Sequence, residues 1–150
     1  MIMTRRFFIG TATAGLAGLA GVLPEPVLAS GKDLFAAAWM QNGGAGFSIL
    51  DGDGNELTSV PLPDRGHDVA TDRAGRWAVA FARRPGTFAV AVDRQKGSEP
   101  IPFSSPEDRH FFGHGVFSPD NRLLYATEND YDNAAGMIGI YDVTAGFNRI

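Results

Sequence analysis

"GHDVATDRAGRWAVAF" (residues 66–81) and "GHGVFSPDNRLLYAT" (residues 113–127) decide the fold. Each opens Gly-His-x-Val, passes through polar turn residues and enters an apolar run. Downstream of each lies another apolar run ending in aspartate, "FAVAVD" at Asp93 and "IGIYD" at Asp142. An earlier run, "FSILD", ends at Asp51. The three aspartates are 42 and 49 residues apart. A period of about 40–50 residues holding four short strands is the signature of a β-propeller blade.

Working outward, the chain from Lys32 onward reads as short apolar runs separated by Gly, Asn, Asp and Pro, with no helical pattern. Several runs are apolar at consecutive positions, which requires a sheet covered on both faces. The second blade takes 67–71, 76–82, 88–93 and 100–103, innermost strand first. The third takes 114–118, 122–128 and 137–142, with its outer strand starting at Ile150. The first supplies a second, third and fourth strand at 34–40, 47–51 and 57–63, and no innermost one. A propeller closes with at least four blades. The expectation is therefore an all-β fold in which residues 30–150 are the first two to three four-stranded blades, the N-terminal part of a longer propeller. The rival architecture is a compact β-sandwich of the same strands.

The first residues read as an address. Thr4-Arg5-Arg6-Phe7-Phe8 resembles a twin-arginine export signal, and Ile9 to Leu23 is a mildly apolar, Gly- and Ala-rich stretch. That stretch is too short and too weak for a membrane span. Val27-Leu28-Ala29 suits a signal peptidase, with cleavage after Ala29. Residues 1–29 are thus expected to be a signal peptide, and the mature protein to work in the periplasm without a stable membrane span.

Composition narrows the chemistry. The 150 residues contain no cysteine, which excludes disulfides, thiolate zinc sites, iron–sulfur clusters and covalent c-type haem. The formal net charge is −4, and no basic run is present to grip phosphates, so nothing points to nucleic acid.

"FFGHGVFSPD", "TEND" and "IGIYD", within residues 109–142 and behind a twin-arginine start, resemble the exported proteins grouped as the DUF1513 family. The resemblance extends more weakly back to about Leu34, and spans the first third to half of a typical member. It implies a seven-bladed propeller of the YVTN and quinoprotein type, broadly WD40-like. It also implies a genomic setting near periplasmic imelysin-like and di-haem peroxidase-like proteins, and hence a link to iron and such proteins as partners. It implies no activity, since none is established for the family.

Propeller geometry concentrates the chemistry-bearing residues. Loops from outer to next inner strand, and from second to third strand, emerge on one face around the central channel. His67 and His114 each begin an innermost strand, and His110 lies in the loop before. The loop "ENDYDNAAG" holds Glu128, Asp130 and Asp132, and "RRPGT" holds Arg83 and Arg84. These eight residues are expected to converge on one face as ligand- or channel-lining groups. Imidazole with carboxylate suits iron, copper or another divalent metal, with His67 and His114 as the ligands. The competing reading makes the repeated Gly-His structural, its imidazole hydrogen-bonding across the blade. Repetition favours that reading, because a repeated element serves each blade alike.

Other motifs are weaker. "DGDGNE" from Asp51 fails as a calcium loop, having Glu56 at the sixth position and Leu62 at the twelfth, and reads as a hairpin turn. "NDYDN" (129–133) reads as a solvated acidic loop that could hold a cation. Ser118, four residues from His114 on one strand, is too distant to be its nucleophile, and Ser118 to Asn121 reads as a turn. Phe111, Phe112 and Tyr131 read as blade packing. Two functions follow. One is a periplasmic binding or scaffold propeller in iron handling, either a partner scaffold or a carrier of a small ligand or of a metal such as iron or another divalent cation. The other is a metal- or cofactor-dependent enzyme, oxidoreductase or lactonase-like, with its site at the channel mouth.

Overall fold

Alternate side chains of a strand face opposite sides, so a run such as "WAVAFA" needs cover on both. A computed structural model, which describes residues 33–150, shows how that cover is supplied. Eleven strands form three consecutive antiparallel sheets, and no helix occurs among the described residues. The first sheet is β1 (Leu34–Gln41), β2 (Gly44–Asp51) and β3 (Glu56–Leu62). The second is β4 (Gly66–Thr71), β5 (Trp77–Ala82), β6 (Phe88–Asp93) and β7 (Ile101–Ser104). The third is β8 (His110–Phe117), β9 (Leu123–Asp130), β10 (Ala135–Asp142) and β11 (Asn148–Arg149). Each is a meander of sequential neighbours. This is the repeated blade expected from the sequence, and not two facing sheets of a sandwich.

The middle sheet divides its side chains between two cores. Val79, Phe81, Ala89 and Ala91 join Phe111, Leu124 and Tyr141 of the third sheet. Ala78, Ala80, Val90 and Val92 join Phe47, Ile49 and Val60 of the first. The consecutive apolar residues of β5 and β6 are thus spent alternately on two seams. Innermost strands β4 and β8 pack side by side. β1 packs along β4 as β5 packs along β8, which gives β1 the place of a second strand in its blade.

The repeated aspartates end the third strand of each blade. Asp51 Oδ1 accepts from the backbone N–H of Asp53 and Asn55, Asp93 Oδ1 from Gln95 and Lys96, and Asp142 Oδ1 from Thr144 and Ala145. An aspartate that satisfies the N–H groups following it fixes a turn. The carboxyls are held below their ordinary range, chiefly by Asn55 at Asp51, by Arg76 at Asp93 and by Thr144 at Asp142. The "DGDGNE" stretch is accordingly the β2–β3 turn. Ser118 to Asn121 is the β8–β9 turn, closed by the Asn121 N–H on the Ser118 carbonyl.

Several boundaries differ from expectation: β2 begins at Gly44 and not 47, β9 runs on to Asp130, β10 begins at Ala135, and two differences bear on the site. β8 begins at His110, four residues before the expected start, and β11 lies at Asn148–Arg149 instead of starting at Ile150. Both extensions follow from backbone pairing that side-chain pattern does not reveal: His110 pairs with Asn129, and Tyr141 with Arg149. The expected signal peptide and its cleavage site at Ala29 lie outside the described residues.

Candidate functional site

The two Gly-His dipeptides are not equivalent in the fold. Opposite Ala82 and Phe81, β4 inserts His67 as one extra residue between Gly66 and Asp68. Opposite Thr127, β8 inserts more, with Phe112, Gly113 and His114 lying between Phe111 and Gly115. Beyond these bulges the blades superimpose turn for turn. Asp72 N–H bonds Trp77 as Ser118 N–H bonds Leu123, and Gly75 and Asn121 are the left-handed residues, at φ 66° and 58°. In that register the counterpart of His114 is Asp68, 46 residues earlier. Bulges on inner strands re-aim side chains and are common beside sites.

The insertions bring three polar side chains together at the seam between the inner strands. His114 Nδ1 is 3.0 Å from Asp68 Oδ2, with both side chains about half exposed. The carboxylate accepts the Nδ1 proton and so leaves the lone pair of a neutral ring on Nε2. The His67 ring meets the His114 ring edge to face, with centroids 4.9 Å apart. His67 lies over Gly113, where an added Cβ would come within 2.5 Å of the imidazole, and Gly113 has φ +100°. Gly115 is equally constrained, since Phe81 of the neighbouring blade occupies the place of a side chain. The glycines flanking His114 are therefore the seats of two rings from the preceding blade.

The remaining expected residues do not all converge on that seam. Arg83 and Arg84 occupy the β5–β6 turn, with Arg84 stacked 4.9 Å over Phe112. Arg83 lines a recess of about 220 Å³ together with His67 and Arg65. His110, expected in a loop, opens β8 and packs against Tyr131, centroids 5.1 Å apart. Asp130 closes the β9–β10 turn by accepting from the N–H and side-chain amide of Asn133, which depresses its pKa. Asp132 is exposed in that turn.

Glu128 corrects the sequence reading. Expected at the end of the 122–128 strand and exposed in the loop that follows, it lies within β9, 2% exposed, inside the third blade. Its Oε1 accepts the Tyr141 hydroxyl at 2.6 Å, and Arg149 approaches both carboxylate oxygens. Arg109 stands 3.5 Å away. Gly139 bears no side chain because the Glu128 carboxylate fills the space a Cβ would need. Burial first, and then the bond to Glu128, push the Tyr141 phenol well above its ordinary pKa. The reason for the difference is register: Glu128 pairs with Phe111 on one side and Met137 on the other, which places it two full residues inside the strand. The sequence reading missed Asp68, Arg65, Tyr141, Arg109 and Arg149. For Asp68 a signal was present, since it is a carboxylate directly following His67.

Among the described residues no three His, Asp or Glu side chains gather as a metal cage. What they offer is an oriented imidazole beside a second imidazole and a cationic recess.

A family model described as "Protein of unknown function (DUF1513)" matches residues 60–150. The chain belongs to the DUF1513 family. No curated protein matches it. Among solved structures, "Dihydro-heme d1 dehydrogenase NirN in complex with DHE" resembles this DUF1513 chain with a TM-score of 0.56 at 15% identity. The match covers 77% of this chain and 26% of that one, so the chain spans about a quarter of that protein's length. At this identity the likeness concerns the fold, and the DUF1513 chain has the blades of a β-propeller.

Proposed function

We propose that this chain is part of an exported, periplasmic propeller that binds a small iron-bearing ligand at the inner-strand seam and serves iron handling. The hydrogen bond from His114 to Asp68 carries this reading. A histidine that holds iron commonly gives its other ring nitrogen to a carboxylate, which fixes the tautomer and raises ligand basicity. An iron tetrapyrrole needs only one such imidazole from the protein, which suits a seam without a metal cage. The structurally similar dihydro-haem d1 dehydrogenase supports the same ligand class. His114 would hold the iron, with His67 beside it, and the group would supply redox chemistry when bound. An imelysin-like or di-haem peroxidase-like protein is the partner proposed to supply or receive the ligand.

Native mass spectrometry of the protein purified from the periplasm tests this reading. Mass in excess of the polypeptide, lost in the His114→Ala variant, supports it. A bare polypeptide mass, together with no spectral shift on haemin addition, refutes it. Replacing Arg5 and Arg6 with Lys is expected to strand the protein in the cytoplasm, and undisturbed export would refute the twin-arginine route.

A further inference from the structure

The chain is acidic overall, with 17 acidic residues against 13 basic. Three arginines nevertheless gather around one cleft, two of them also lining the recess that holds His67. Arg65 ends the β3–β4 turn, and Arg83 and Arg84 lie in the β5–β6 turn. All three are exposed, and among the described residues none forms an ion pair. Asp64, the carboxylate nearest in sequence, accepts the Arg65 backbone N–H at 2.7 Å and reaches none of the guanidinium groups. The three arginines line a cleft of about 500 Å³ whose other walls include Met40, Phe88 and one carboxylate, Asp64, against three guanidinium groups. The recess containing His67, Arg65 and Arg83 lies beside it, with Trp39 in its wall. The cleft volume falls within the roughly 300–1,000 Å³ of small-molecule pockets. Arg84 is held in place by its stack on Phe112 of the next blade, so its guanidinium is partly preorganised.

We infer that Arg65, Arg83 and Arg84 form a recognition site for the carboxylates of an organic ligand with a flat apolar body. Guanidinium groups present fixed forks that match carboxylates two bonds at a time. The apolar walls distinguish this site from one for inorganic phosphate, which would gain nothing from Met40, Phe88 and Trp39. This inference rests on reading the His67–His114 seam as a ligand site, and it adds what grips the ligand's acidic edge.

The test uses the full exported protein and two metal-free porphyrins in the same detergent: protoporphyrin IX, a diacid, and its dimethyl ester. Binding is followed by the porphyrin Soret band. The diacid is expected to bind about tenfold or more tighter than the ester, the size of one charge-assisted contact. The Arg83→Gln/Arg84→Gln double variant should abolish that preference, and both side chains are exposed in a turn, so folding is expected to survive. A circular dichroism spectrum and melting curve check that it does. A variant that unfolds is replaced by Arg65→Gln, judged on the same ratio. Equal binding of diacid and ester, a preference that survives the substitutions, or no binding of either porphyrin overturns the inference. His114→Ala separates the two readings. It should leave the diacid preference intact while removing the imidazole-ligated spectrum of added haemin. If haemin shows no such spectrum in the wild type while the diacid preference stands, the iron reading fails alone.

Discussion

His114 Nδ1 stands 3.0 Å from Asp68 Oδ2, and these two residues hold the same place in successive blades. One turn of the repeat thus supplies an imidazole and the previous turn supplies the carboxylate that aims it. Asp68→Ala should weaken binding of haemin about tenfold or more, as expected when the partner of a ligating histidine is lost. Stability should hardly change, because a hydrogen bond between two half-exposed side chains contributes only about 1 kcal/mol. A haemin titration beside a thermal melt decides the matter. A large fall in melting temperature with unchanged binding would make the pair structural.

Gly113→Ala should be strongly destabilising, for two reasons that can be separated. The backbone is in a region L side chains avoid, and the His67 ring occupies the space a Cβ would need. Each contribution is of order 1–3 kcal/mol. Adding His67→Ala should recover the steric part and leave the backbone part. Denaturant unfolding of the single and double variants measures both, and a double variant no more stable than the single one would remove the ring from the explanation.

Glu128 is expected to be the costliest polar residue to change. Glu128→Gln removes the charge that faces Arg149 and Arg109 in a buried place, and should cost about 3 kcal/mol. Tyr141→Phe should cost about 1–2 kcal/mol. The tyrosine also gives a pH signature. Its folded pKa lies above the unfolded value near 10, so its stabilising effect is complete below about pH 10 and is lost as pH rises toward the folded value. Melting temperatures measured from pH 9 to 11.5 should fall less steeply in Tyr141→Phe than in the wild type. Parallel curves would show that the phenol does not govern the alkaline limb.

Asp93 should dominate at the acid end among the turn aspartates. It is buried and takes both Nε and Nη2 of Arg76, whereas Asp51 and Asp142 are only partly buried and, among the described residues, have no such ion pair. Its folded pKa lies below the unfolded value near 3.9, so its stabilising effect is present above that value and is lost as pH falls further. Asp93→Asn should lower the melting temperature at pH 7 by several degrees and flatten its decline below pH 4. Asp51→Asn should do much less. Equal effects of the two would mean that the turn bond alone matters, and not the Arg76 pair.

The blades were legible because burial on two sides leaves a mark that a single strand can carry. "WAVAFA" and "FAVAVD" are apolar at every step, and nearly every step is buried against one neighbour or the other. The turn aspartates were legible for a similar reason, since each answers to the N–H groups just after it. Register was not. Aligning the two Gly-His dipeptides puts the histidines in equivalent places, yet unequal bulges in β4 and β8 displace them by one residue. A displacement of one exchanges the faces of a strand, which is why Asp68 went unnoticed. Glu128 looked exposed because strand β9 runs two residues past it, to Asp130, and because Arg149 lies on a short strand that no local pattern announces. His67 and His114 are not repeats of one another, so repetition does not mark either as a structural histidine.

The division of β5 and β6 between two cores has a consequence for how such a chain can be rearranged. Excising residues 66–104 as a tidy module would carry away half of two hydrophobic interiors and complete neither. The indivisible unit is the seam, made from the back of one sheet and the front of the next. Duplication, shuffling or grafting of this sequence must therefore preserve adjacent pairs, and a transplanted blade will be accepted only by a host that already presents the matching half.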